Sequence, residues 1–135
     1  MAADPGPALR PIHSTAAPEP VGPYNQAVVA GGLLFCSGQI ALDPQTGVLM
    51  GAGCVEAETR QVLANLEAVL AAAGCGPERV VRTTVFLTDL GDFAAVNAIY
   101  AETFGAGVSP ARACVQVAAL PKGARVEIDA IALLS

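Results

Sequence analysis

The chain has 135 residues, one domain's worth, and only 14% of them are charged, against about 25% in ordinary soluble domains. A hydrophobic share of 53% excludes a disordered chain, and an isoelectric point near 4.6 with seven scattered basic residues excludes a nucleic-acid partner. A domain this poor in charge cannot cover its apolar surface alone, so part of that surface is expected to be buried against copies of itself.

Residues 1–12 read as a flexible leader ahead of a single domain over 13–135, although Arg10 to Ser14 has the composition of a short strand. Met1 to Pro11 has no apolar core of a signal peptide, and no apolar run reaches the roughly 18 residues a membrane span needs. Cys36, Cys54, Cys75 and Cys114 fit no CxxC or zinc spacing. They read as reduced thiols in a cytoplasmic protein.

The apolar runs Asn25 to Ala30 and Leu33 to Ser37 are split by Gly31-Gly32, a hairpin signal. Asp43-Pro44-Gln45-Thr46-Gly47 is a turn cluster. The period then changes: Val62, Leu66, Val69 and Ala73 recur at three and four and predict a helix over Val55 to Ala73, stopped by Gly74. Arg79 to Thr88 is rich in β-branched residues and predicts a strand. Asp92 is positioned to cap a second helix running to Gly105. Ala111 to Leu120 and Arg125 to Leu134 flank the turn Pro121-Lys122-Gly123-Ala124 and read as a closing hairpin. The order β-β-β-α-β-α-β-β predicts an α+β or mixed α/β layer pair.

Alternation within that hairpin places Ala111, Ala113, Val115, Val117 and Ala119 with Val126, Ile128, Ala130 and Ala132 beneath the helices. The other face would then carry Arg112, Cys114 and Gln116 with Glu127, Asp129, Ile131 and Leu133. With Ala118 opposite Glu127, Arg112, Cys114 and Glu127 would line one crevice facing water or another subunit.

An arginine forks onto a carboxylate or phosphate, and a nearby carboxylate can orient water or move a proton. From the residues alone, Arg112 and Glu127 read equally as a catalytic pair or as an ion pair at a subunit interface. Cys114 reads as a small packed residue, because no base sits near it in sequence. His13, the sole histidine, reads as a surface or strand-edge residue. Tyr24 lies in a Pro/Gly loop and reads as a packed residue or a pocket wall.

Several segments carry a resemblance. They are Gly22-Pro23-Tyr24-Asn25-Gln26-Ala27, Ser37-Gly38-Gln39-Ile40, Asp43-Pro44 with Thr46-Gly47, Asn65-Leu66, and Thr83-Thr84-Val85-Phe86-Leu87 with Asp89. Asp92-Phe93 with Val96-Asn97 and Tyr100 follow, then Pro110-Ala111-Arg112, Leu120-Pro121 and Val126-Glu127-Ile128. In this order, from His13 to Leu134, the chain resembles the Rid family of reactive intermediate deaminases, also called YjgF or L-PSP proteins. The resemblance implies a chorismate-mutase-like mixed β-sheet with two helices packed on one face, in a homotrimer with clefts between subunits. It implies hydrolysis of enamines and imines (2-aminoacrylate, 2-iminopropanoate, 2-iminobutanoate), released by pyridoxal-phosphate enzymes, to 2-oxo acids and ammonia. No metal or other cofactor is implied. Arg112 would grip the substrate carboxylate and Glu127 would attend the attacking water. Tyr24, Ser37, Gly38, Asn97 and Cys114 would line the bound ligand.

Three departures stand out, one of them a short loop over Gly105–Ser109. Val108-Ser109 precedes Pro110 where many members carry an aromatic, and Val48 to Gly53 is slightly long. A 2-oxo acid binding module without turnover is the alternative on the same clefts. An endoribonuclease or translation inhibitor fits the acidic composition poorly.

Overall fold

In the computed structural model, which describes residues 8–134, the chain forms β1 (Arg10–Ile12), β2 (Ala27–Ala30), β3 (Leu33–Gln39), α1 (Val55–Ala72), β4 (Val80–Leu87), α2 (Phe93–Phe104), β5 (Ala111–Gln116) and β6 (Val126–Leu133). The element order is the expected one. Residues 1–7 of the expected leader lie outside the described residues, whereas Arg10–Ile12, within that leader but also read as the start of a short strand, pair with β2.

The six strands form one mixed sheet in the order β1-β2-β3-β6-β4-β5, an α+β architecture with both helices on one face. Gly31 and Gly32, both at positive φ, make the tight β2–β3 hairpin, which few side chains other than glycine allow. On α1, Val62, Leu66, Val69 and Leu70 are fully buried against the sheet. Each such side chain contributes about 1.5–3 kcal/mol on burial. Gly74, at φ +83°, ends the helix as the sequence suggests. Asp92 precedes α2, but its side chain makes no capping bond; Asp89 instead accepts from the Gly91 N–H at 2.8 Å.

The closing hairpin is not formed. β5 pairs with β4 in parallel, while β6 inserts between β3 and β4 and is antiparallel to both. The connecting segment wraps the end of β4: Val117 donates to the Leu87 carbonyl at 2.8 Å and Thr88 donates to the Arg125 carbonyl at 3.1 Å. Glu58, buried in α1, accepts the Arg125 N–H at 2.9 Å and so fixes the entry to β6. The physical reason is burial. Val126, Ile128, Ala130 and Ala132 make β6 apolar on its helix side, which suits the centre of the sheet. β5 carries Arg112 and Gln116 and takes the edge, where those groups need not be desolvated.

This placement inverts the expected faces of β5. Thr83, Val85 and Leu87 are buried on the helix side, and their ladder partners are Arg112, Cys114 and Gln116. Ala111, Ala113 and Val115 therefore point to the open face. There they join Phe35, Phe86, Ile131 and Leu133, a largely apolar surface interrupted by Arg82, Thr84, Glu127 and Asp129. No helix among the described residues is long and apolar enough to cross a membrane.

Candidate active site

Two groups of side chains carry chemistry, and they lie on opposite faces of the sheet. The first is built on a β-bulge. Cys36 pairs with Ala130 but Gln39 pairs with Ile128, so Ser37 and Gly38 together oppose Asp129. The bulge brings the Gly38 backbone against Glu127. A Cβ on Gly38 would sit 2.8 Å from the Glu127 carboxyl carbon, so only glycine leaves this carboxylate in place. Ser37 donates its hydroxyl to the Asn25 carbonyl at 2.6 Å, which ties the bulge to the loop before β2.

Glu127 pairs with Phe86 on the open face and is half-buried. Burial raises its pKa above the ordinary carboxylate value, and Asp129 adds repulsion in the same direction. Tyr24, Gly38, Ile40, Pro121 and Glu127 line one concavity. The Tyr24 hydroxyl accepts the Val21 N–H at 3.2 Å and holds the ring at the rim. Behind it, the buried Gln26 side chain accepts from Ser14 N and donates to the carbonyls of Ser14, Ala17 and Pro18. From α1, Asn65 donates to the carbonyls of Ile40 and Leu42, fixing the chain that follows Gly38.

The second group surrounds Arg112 on β5. Phe93, Asn97 and Tyr100 recur at four and three along α2 and present one helix face to the guanidinium. Arg112 Nη1 donates to Asn97 Oδ1 at 2.7 Å. The guanidinium carbon lies 4.8 Å from the centroid of the Tyr100 ring and 5.5 Å from that of Phe93, both within cation–π range. The Tyr100 and Thr83 hydroxyls share a buried hydrogen bond of 2.7 Å. A concavity of about 310 Å³ opens beside Arg112 between α2 and the Ser109-Pro110 segment.

Cys114 lies two residues beyond Arg112 on the same side of β5. Burial raises its pKa, and the Arg112 charge only partly offsets this. Burial likewise pushes the Cys36 thiol up to about 12. All four cysteines are free, and neither of these two is activated as a nucleophile. His13 is exposed and pairs with Glu19 at 2.7 Å, in keeping with a surface residue.

The structure thus brings Arg112, Asn97 and Cys114 together, and separately Tyr24, Ser37, Gly38 and Glu127. It does not bring Arg112 and Glu127 into one crevice, as the hairpin reading had it; they form no ion pair, because the edge position of β5 turns Arg112 toward α2. Sequence reasoning gave no role to Phe93, Tyr100, Thr83 or Gln26. The helical spacing of Phe93, Asn97 and Tyr100 was the signal available for two of them. Gln26 and Thr83 offered none, since a buried polar side chain shows itself only through its partners.

The family model described as Endoribonuclease L-PSP matches residues 14–134. RutC family protein slr0709 of Synechocystis is 60% identical over 126 residues, covering 93% of this chain and 97% of that protein. The 2-iminobutanoate/2-iminopropanoate deaminase of Mus musculus is 52% identical over 122 residues, covering 90% and 89%. Among solved structures, E. coli TdcF with bound serine superposes with a TM-score of 0.88 at 42% identity, covering 93% of this chain and 99% of that one. The E. coli YjgF gene product gives 0.86 at 44% identity, covering 92% and 98%. A family model that spans residues 14–134, with relatives this similar over nine-tenths of the chain, shows that the chain belongs to the L-PSP family, the Rid or YjgF family that its sequence resembles.

Proposed function

We propose that the chain is a hydrolytic deaminase of enamine and imine intermediates, acting in homotrimer clefts where the Arg112 group of one copy meets the Glu127 group of the next. The observation that carries this reading is the division of the site. Each half alone is an open concavity with half the chemistry, and the halves lie on opposite faces of one sheet. The mostly apolar open face of the sheet supports the assembly. The mouse relative bears the deaminase name, and E. coli TdcF holds serine, a ligand with the α-carboxylate this reading requires.

The substrates are 2-aminoacrylate with its tautomer 2-iminopropanoate, and 2-iminobutanoate, released by pyridoxal-phosphate enzymes. Arg112 forks onto the carboxylate; Asn97 occupies one of its N–H groups and leaves the others for the ligand. Glu127, as the carboxylate, accepts a proton from a water whose oxygen bonds to the imine carbon. The C=N π pair moves to nitrogen, which takes back from Glu127 the proton that came from the water. The resulting carbinolamine collapses: its hydroxyl proton passes through Glu127 to the nitrogen, the C–N bond breaks, ammonia leaves, and the carbonyl of a 2-oxo acid forms. Backbone groups around Gly38 and Cys114, with the Ser37 bulge and the Tyr24 ring, complete the cradle. An imine already hydrolyses in water, so orientation and modest charge handling are sufficient.

The test generates 2-aminoacrylate with a serine dehydratase and follows pyruvate release. The protein accelerates release and Arg112→Ala does not, with its fold intact by circular dichroism. Saturable binding of 2-oxo acids without any acceleration would make the chain a binding module instead.

A further inference from the structure

Arg112 is held by a closed ring of contacts that starts and ends on its own strand. Its ladder partner on β4 is Thr83. The Thr83 hydroxyl is bonded to the Tyr100 hydroxyl at 2.7 Å, in the buried layer under α2. The Tyr100 ring carries the Arg112 guanidinium at 4.8 Å. Phe104 packs on the same ring with centroids 4.7 Å apart and adds a second contact that restrains it. Thr83 is fully buried and Tyr100 is 7% exposed, so neither hydroxyl can exchange its partner for bulk water.

We infer that Thr83 and Tyr100 are a positioning pair for substrate binding, fixing the direction in which Arg112 presents its guanidinium to the ligand carboxylate. The inference rests on the deaminase reading for the identity of that ligand. Neither side chain is placed against the substrate; both act through Arg112. A guanidinium on a flexible stem loses rotamer freedom when it grips a carboxylate, and a ring fixed in advance removes part of that cost. The hydroxyl bond matters because it sets the height of the ring above β4. Without it the ring can slide along α2 and carry the guanidinium with it.

Three variants and one cycle test this. Tyr100→Phe keeps the ring and loses the hydroxyl; Thr83→Val keeps the shape and loses the partner; Tyr100→Leu removes the π face. The readouts are KM and kcat for 2-iminopropanoate hydrolysis, calorimetric affinity for 2-oxobutanoate, and Tm. We expect KM to rise and 2-oxobutanoate affinity to fall roughly tenfold in Tyr100→Leu, and about threefold in Tyr100→Phe and in Thr83→Val, with kcat within about twofold of the parent. The double variant Thr83→Val/Tyr100→Phe should match either single one, because both remove the same bond. A fall in Tm with KM and affinity unmoved in Tyr100→Phe and Thr83→Val would overturn the inference and leave a merely structural bond. Additive effects in the double variant would also overturn it. Failure of the parent protein to hydrolyse the imine would strike the deaminase reading alone, since the calorimetric arm still reads the direction of Arg112.

Discussion

Arg112 and Glu127 face opposite sides of the same sheet. Arg112 is on the helix side of the edge strand β5, and Glu127 is on the open side of the central strand β6. A single copy cannot close both around one small acid. The open face also carries Phe35 at 43% exposure and Val115 and Leu133 at 42% each, too much apolar surface for a sheet meant to meet water. Phe35 and Ile131 are cross-strand partners near its middle. Phe35→Glu or Ile131→Glu should therefore reduce the mass seen by light scattering from a trimer to one protomer. Deaminase activity should disappear with it while the helical circular dichroism stays.

The Gly38 backbone lies against the Glu127 carboxylate, where a Cβ would clash with it. Its φ is not in the left-handed region, so alanine fits the backbone, and the flexible end of Glu127 can move aside. Gly38→Ala should therefore cost little stability, under about 1 kcal/mol by urea denaturation, yet lower kcat by roughly ten- to a hundredfold, because it displaces the carboxylate from the place the proposed mechanism gives it beside the attacking water.

The pH dependence follows from the raised pKa of Glu127. On the proposed mechanism Glu127 works as the carboxylate, so kcat should rise with pH through a limb centred above 4.5, the ordinary value for a glutamate. Glu127→Gln should abolish the activity, and the limb with it. The stability effect has the opposite sense. The folded-state pKa lies above the unfolded one, so the fold binds the proton more tightly. That stabilisation is complete below the unfolded pKa and is lost as pH rises through the folded one. Wild type should thus lose stability relative to Glu127→Gln between acid and neutral pH, as read by denaturant titrations at each pH.

Gln26 makes one accepted and three donated hydrogen bonds to the backbone of the segment Ser14 to Pro18, all of them buried. Gln26→Leu leaves these groups without partners and should cost about 2–4 kcal/mol. Gln26→Glu should do no better, because a carboxylate cannot donate to three carbonyls. Chemical denaturation measures both, and a loss of activity should accompany them as the Tyr24 rim loosens.

The elements themselves could be read from the chain. Helical recurrence of Val62, Leu66 and Val69 and the Gly31-Gly32 pair marked α1 and the first hairpin without ambiguity. The strand order could not be read. The turn at Pro121 to Gly123 reads as a hairpin, yet the chain crosses the end of β4 before it pairs again. Which strand takes the sheet centre is a competition in total burial, and it leaves no local mark in the sequence. That single error inverted the faces of β5 and so misplaced Arg112 and Cys114 relative to Glu127. Residue types at the site were legible because an arginine and a glutamate on otherwise apolar strands are conspicuous. Gln26, Thr83 and Tyr100 were not, since each matters through a partner 12 or 17 residues away in sequence.

Mixing two inactive variants tests the shared site directly. Arg112→Ala and Glu127→Gln, each inactive alone, are unfolded together at equal amounts and refolded so that subunits mix at random. A site with Arg112 from one copy and Glu127 from its neighbour is then intact at about a quarter of positions, so deaminase activity should return to about a quarter of wild type. No recovery from a mixture shown by native mass spectrometry to contain both variants in one trimer would mean that each site is built within one chain, and the two-subunit site would be wrong.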